Sequence, residues 1–241
     1  MKSINKITVL FLIIASVLSC QETKKSTHAI DVKYFGALKT IMSGNIQSAI
    51  ALDSLSNQKN FYALGAVENL KGEIQIFNSK PSNSSVLDGS LSISDTYDIN
   101  ASLLVYANVD VWVDYQIDSK LTKSELESLI LNKAKENKIN IDKPFPFLIE
   151  GNIASLDWHV IDWKEGDTIH NHKKHKESGL NDVLNDTEVE IIGFYSTKHK
   201  AIFTHHTTNM HMHFKTDDNM VAGHIDDLFI NNAVTLKLPK Q

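Results

Sequence analysis

The stretch from Met210 to His224 constrains this chain more than any other. Met210, Met212 and Phe214 alternate with His211 and His213, the period of two expected of a strand with one apolar face. Asp217 to Met220 supply a polar turn, and Val221 to Ile230 return as a second strand. With those four residues as the loop, Thr216 pairs with Val221 and His213 falls opposite His224. Directly opposed side chains have Cβ atoms ~5 Å apart, and His211 lies two residues along on the same face. Three imidazoles then converge, close enough to share an ion at about 2.0–2.1 Å from each nitrogen with coordination positions left open, as in catalytic zinc. The reading depends on register, because a one-residue bulge sends His224 to the opposite face. Histidines alternating on a solvated strand face are the alternative.

At 241 residues the chain is long enough to bury a substantial core. A formal net charge of -5 argues against a nucleic-acid partner. Every basic side chain other than histidine is a lysine, so no bidentate guanidinium clamp for a carboxylate or phosphate is available.

The first twenty residues read as a targeting segment. Lys2 and Lys6 form a basic n-region, and Ile7 to Val17 an apolar h-region too short to span a bilayer comfortably. Leu18-Ser19-Cys20 is similar to a bacterial lipobox, which implies lipidation at Cys20 and a membrane-anchored lipoprotein of the cell envelope. An ordinary signal peptide with a chance cysteine is the alternative. Cys20 is the only cysteine, which excludes an intramolecular disulfide. The expected division is residues 1–20 as signal peptide, 21–30 as tether and 31–241 as the folded domain.

Along the domain, Asp31 to Ser43 and Ile46 to Leu55 read as short helices, and Glu73 to Phe77 as a strand with Ile74 and Ile76 on one face. Glu73 opens that strand after Gly72, where a solvated rim charge is the ordinary reading. Ser79 to Ser94 is rich in serine and reads as loop, and Leu103 to Trp112 as a buried strand. Thr122-x-x-Glu125 is a capping box opening an amphipathic helix with Leu126, Leu129, Ile130 and Ala134 along one stripe. Phe147 to Ile153 is a further strand, and Ile169 to Glu177 a solvated loop rich in histidine and lysine, with weak metal binding as the alternative. Glu188 to Ser196, Ala201 to His206, Asn209 to Thr216, Val221 to Ile230 and Ala233 to Leu238 follow as strands. The fold class expected is mixed α and β (α+β): a mixed N-terminal sheet with helices, then a C-terminal antiparallel β unit carrying the zinc site.

His199, His205 and His206 precede the hairpin. If Ala201 to His206 is a strand, His205 and His206 point to opposite faces, and one of them can reach the metal face as ligand, proton donor or substrate contact. Pairing with a backbone carbonyl is the alternative. Asp226 falls opposite His211 and is a candidate acceptor for an imidazole N–H, or an ordinary exposed aspartate.

Gly72-Glu73, Pro144-Phe145 with Glu150-Gly151, Gly193-Phe194, and His211-Met212-His213-Phe214 with Gly223-His224 occur in the order and approximate spacing of one family. The chain resembles the α-acetolactate decarboxylases from about Phe35 to Pro239. The resemblance implies Zn²⁺ held by His211, His213 and His224, with Glu73 as the acidic residue at the active centre. It also implies a small-molecule substrate, 2-acetolactate, converted to acetoin and carbon dioxide. The zinc would stabilise the developing enediolate, and a carboxyl group with a raised pKa would return the proton to carbon. A homodimer is compatible with this reading.

The sequence departs from the family's pattern at two places. The family's substrate-serving arginine aligns with Leu148, and its second glutamate beyond a Leu-Pro segment has no counterpart after Leu238-Pro239. Retaining the parent reaction then requires His205, His206 or a lysine to take over. The alternatives are a metal-binding lipoprotein, or a metalloenzyme acting on another substrate.

Overall fold

In a computed structural model, residues 30–241 are described; the expected signal peptide, Cys20 and the tether through residue 29 lie outside them. The first half forms an eight-stranded sheet from β1 (Lys33–Phe35), β2 (Ile50–Ala51), β3 (Phe61–Val67), β4 (Glu73–Phe77), β5 (Lys80–Pro81), β6 (Asn83–Leu87), β7 (Ser90–Ser94) and β8 (Asn100–Asn108). Its main order is β1-β8-β3-β4-β6-β7. The second half forms a seven-stranded sheet from β9 (Trp112–Ile117), β10 (Leu121–Thr122), β11 (Phe145–Val160), β12 (Leu180–Tyr195), β13 (Met210–Thr216), β14 (Ala222–Ile230) and β15 (Val234–Pro239). Both sheets are antiparallel in every pairing of named strands.

The molecule is therefore more β-rich than the mixed first half expected from the sequence. Where a helix is expected over Asp31 to Ser43, the chain makes β1 and a five-residue helix, α1 (Leu38–Met42). Ile46 to Leu55 yields β2 and a 3₁₀ turn rather than a helix. The serine-rich stretch supplies β5, β6 and β7 instead of loop. There, Asn83, Ser84 and Ser82 are buried against the neighbouring strand, so tertiary pairing overrides the polar composition. Ala201 to His206, expected as a strand, is a series of turns, and His172 to Glu177 is a helix, α3, rather than a loop.

The two sheets face each other across a core that includes Tyr62, Leu64, Leu103, Val105, Ile192 and Phe194. The opposite face of the second sheet packs on α2 (Lys123–Glu136) through Leu126, Ile130 and Ala134. The capping box at Thr122 and Glu125 is formed on both sides and fixes the start of that helix.

One pairing shapes the second sheet. β14 bonds both to β13 and, at its other edge, to the distal half of β11, so β11, β12, β13 and β14 close into a ring. The bend comes with a register shift in the β11–β14 ladder between Asp157 and Trp158. Closure places His159 opposite His224.

Gly72 sets where β4 begins. It holds φ at +148°, and a Cβ there would fall on the Ser84 carbonyl oxygen of β6. Gly72→Ala is expected to destabilise the protein by about 1–3 kcal/mol through strain and overpacking. Urea unfolding checks this, and an unchanged midpoint would contradict the close approach of β4 and β6.

Candidate metal centre

The hairpin register pairs His213 with His224, Phe214 with Gly223 and Lys215 with Ala222. The turn is closed by the Thr216 N–H donating to the Val221 carbonyl at 2.8 Å. Within it, the Asp218 carboxylate accepts from the Thr216 hydroxyl and the Met220 N–H. Alternation sends Met210, Met212 and Phe214 into the core beneath α2, which turns His211 and His213 toward the first sheet.

The three imidazoles meet. Nε2 of His211, Nε2 of His213 and Nδ1 of His224 lie 3.2 Å from one another. Tetrahedral bonds of about 2.0–2.1 Å require donor atoms ~3.3 Å apart, so the spacing suits a zinc-sized ion. Proton placement supports the same conclusion. The Gln75 amide of β4 donates through Nε2 to the Ser82 carbonyl and the Ser84 hydroxyl, leaving Oε1 to accept from His213 Nδ1 at 3.2 Å. His213 Nε2 is then a bare lone pair. Whatever protons the other two rings carry, one edge of the triangle is left with two donors or two acceptors facing each other. A cation relieves that conflict.

Burial also keeps these rings in the form that binds metal. It holds His213 and His224 well below the ordinary imidazole range, and lowers His211 to about 3 against the opposing effect of the Phe203 backbone. They are neutral at pH 7 and have lone pairs to offer.

Glu73 stands beside the triangle. One carboxylate oxygen is 3.8 Å from His213 Nε2; the other accepts from the Ile161 N–H at 3.2 Å and lies 3.9 Å from His159 Nε2. The side chain is 4% exposed, which disfavours its charge and pushes its pKa up to about 7, against the pull of His159 and the Ile161 N–H. This is not a solvated rim carboxylate. Glu73 can hold or release a proton near neutrality.

Sequence reasoning placed Asp226 against His211, but the structure places it elsewhere. Asp226 accepts from His159 Nδ1 at 2.9 Å and pairs with Lys176 Nζ at 3.1 Å. His159 itself was missed. Its ring packs on His224 with centroids 4.8 Å apart, and His159, His224 and Asp226 form a second group able to gather around an ion. Continuing the strand alternation past Gly151 would have reached His159. Gln75 was also missed, although it lies two residues from Glu73 and so shares its face.

Of the remaining histidines, His205 lines a cavity of about 560 Å³ that reaches the triangle at His211 and His224. The His206 ring packs tilted against His205 with centroids 4.0 Å apart, and His199 bonds the Ser196 hydroxyl at 2.7 Å while stacking on Phe203. Leu148, where the family resemblance implies an arginine, is buried in the core between the sheets. α3 sits beside the cavity, where His172 Nε2 lies 3.7 Å from Asp226.

A pH test follows from Glu73. Its folded pKa is raised from 4.5 to about 7, so the wild type is at no disadvantage against Glu73→Gln below pH 4.5. As pH rises through 7, the metal-free wild type should lose roughly 3 kcal/mol relative to that variant. Urea unfolding of both proteins across this range measures the difference. A pH-independent gap would contradict the assignment.

The comparisons with known proteins bear on the fold and the family. The family model "Alpha-acetolactate decarboxylase" matches residues 34–240. The crystal structure of alpha-acetolactate decarboxylase from Bacillus subtilis strain 168 superposes with a TM-score of 0.71 at 14% identity, covering 87% of this chain and 86% of that one. A Staphylococcus aureus protein of unknown function, described as similar to alpha-acetolactate decarboxylase, superposes at 0.68 with the same identity and coverage. No curated protein matches in a sequence search. At these identities the structural likeness speaks for the fold, and the family model speaks for descent: the chain belongs to the alpha-acetolactate decarboxylase family.

Proposed function

We propose that this protein is a zinc-dependent carboxy-lyase that converts 2-acetolactate, or a related 2-hydroxy-3-oxo acid, to acetoin or its analogue and carbon dioxide. The observation that carries the reading is a buried carboxyl group with a pKa raised to about 7, set 3.8 Å from one corner of a triangle of three neutral imidazoles.

The residues that would hold the ion are His211, His213 and His224, and Gln75 orients His213. When bound, zinc acts as a Lewis acid toward negative charge developing on oxygen. In the reaction, the bond between the carboxylate and C2 breaks and carbon dioxide leaves. The electron pair is delocalised over C2 and the neighbouring ketone oxygen, and the resulting enediolate takes a proton at C2. Glu73 supplies that proton and regains one from solvent, so each turnover consumes one proton. Its burial and raised pKa keep it neutral often enough near pH 7 to act as the acid. The position of Glu73 on one side of the triangle favours protonation from a single face.

A second reading, a metal-binding protein without turnover, draws on Leu148 in the core and on the chain's lack of any arginine. In either case we take the protein to be anchored to the cell envelope through a lipid on Cys20.

The chain from residue 21, loaded with zinc, should release acetoin from 2-acetolactate. Glu73→Gln should lower kcat by about 10²–10⁴ while keeping its zinc. No acetoin from a zinc-replete wild type would overturn the decarboxylase reading and leave the binding protein.

A further inference from the structure

The cavity that opens on His211 and His224 needs a group to receive the carboxylate of any acid that enters it, and no arginine exists to do so. Its wall includes Lys123, His172 and His205. Burial lowers the pKa of both histidines and also of Lys123, whose charge the neighbouring Asp227, Asp226 and Glu127 carboxylates favour; Lys123 is the one lysine on that wall among the described residues. Lys123 is the first residue of α2, and the capping box between Thr122 and Glu125 holds its backbone in place.

The ammonium group is anchored but not neutralised. Nζ donates to the Asp226 carbonyl of β14 at 2.6 Å, two residues beyond His224. An ammonium carries three N–H donors, and among the described residues no carboxylate lies within ion-pair distance of Lys123. The acids on the same wall are committed or face solvent. Asp226 is paired with His159 and Lys176, Glu127 accepts from Thr208 and Asn209, and Asp227 is exposed. The carboxylates of Asp227, Asp226, Glu127 and Asp157 act on this partly buried cation from beyond ion-pair distance, so it bears a desolvation cost that a directly bound carboxylate would offset. The start of α2 adds a positive dipole end of the same sign.

We propose that Lys123 is the carboxylate-binding residue of the site and selects 2-hydroxy acid anions over their neutral analogues. The inference rests on the reading of the site as one for a 2-hydroxy-3-oxo acid. It assigns to a lysine, as a point charge on α2, the task that a guanidinium fork would perform by bidentate contact.

The test uses the zinc-loaded chain from residue 21 as wild type, Lys123→Met and Lys123→Arg, with zinc content and Tm measured for each. With 2-acetolactate, Lys123→Met should raise KM about 10- to 100-fold, change kcat less than about threefold and keep its zinc. Lys123→Arg should restore most of the affinity. An unchanged KM in Lys123→Met overturns the inference and leaves the decarboxylase reading standing. Calorimetry with 2-hydroxyisobutyrate and its methyl ester gives a readout without turnover. Wild type should bind the acid at least about tenfold more tightly than the ester, and Lys123→Met should lose that preference. Such binding without acetoin release would sink the decarboxylase reading and keep Lys123. Equal binding of acid and ester by wild type, or no binding of either, overturns the inference.

Discussion

The site depends on one strand, β14, being paired on both edges. Its bond to β13 sets His224 against His213, and its bond to β11 sets His159 against the same residue. An open sheet would leave His224 at an edge, with its ring free to turn to water. Closure into a ring removes that edge and buries His211 and His213 between the two sheets, near Glu73 and Gln75 of β4, with His224 partly exposed toward the cavity. Register is strongly specified because Met210, Met212 and Phe214 must stay beneath α2; a slip of one residue would exchange them with His211 and His213.

Burial then sets the chemistry. The same loss of solvent that keeps the imidazoles neutral also favours the protonated form of Glu73, so ligands and acid are tuned by one cause. The charged groups are sorted outward from there. Asp226 takes His159 and Lys176, whereas Lys123 faces the cavity with a single carbonyl partner. Neutral imidazoles at the base of the cavity, with Lys123 on a wall that also carries Glu127, Asp226 and Asp227, are the charges that an entering acid would meet.

Much of the site was legible because hairpins obey simple counting. Turn length and alternation give the His213–His224 pair from the sequence alone, and Gly72-Glu73 marks the strand that approaches it. The first sheet was less legible. Its serine-rich strands β6 and β7 are held by neighbouring strands rather than by their own composition, and short apolar runs near α1 and β2 suit helix and strand alike. His159 was hidden for a different reason. Alternation past Gly151 carries the strand to His159, but its place opposite His224 is fixed by a long-range closure with a bulge beside it, which the sequence pattern does not encode. Hairpin counting alone sets Asp226 against His211, because the two strands do not reveal β11 on the far edge of β14, whose His159 takes Asp226 instead.

In the proposed function, three neutral imidazoles from one closed β ring hold the catalytic ion. The most direct measurement is an anomalous-difference map, recorded on either side of the zinc edge, of a crystal of the zinc-loaded protein. One strong peak is expected about 2.0–2.1 Å from Nε2 of His211, Nε2 of His213 and Nδ1 of His224. A peak seated instead on His159 and Asp226, or no peak in a protein carrying stoichiometric zinc, would contradict it.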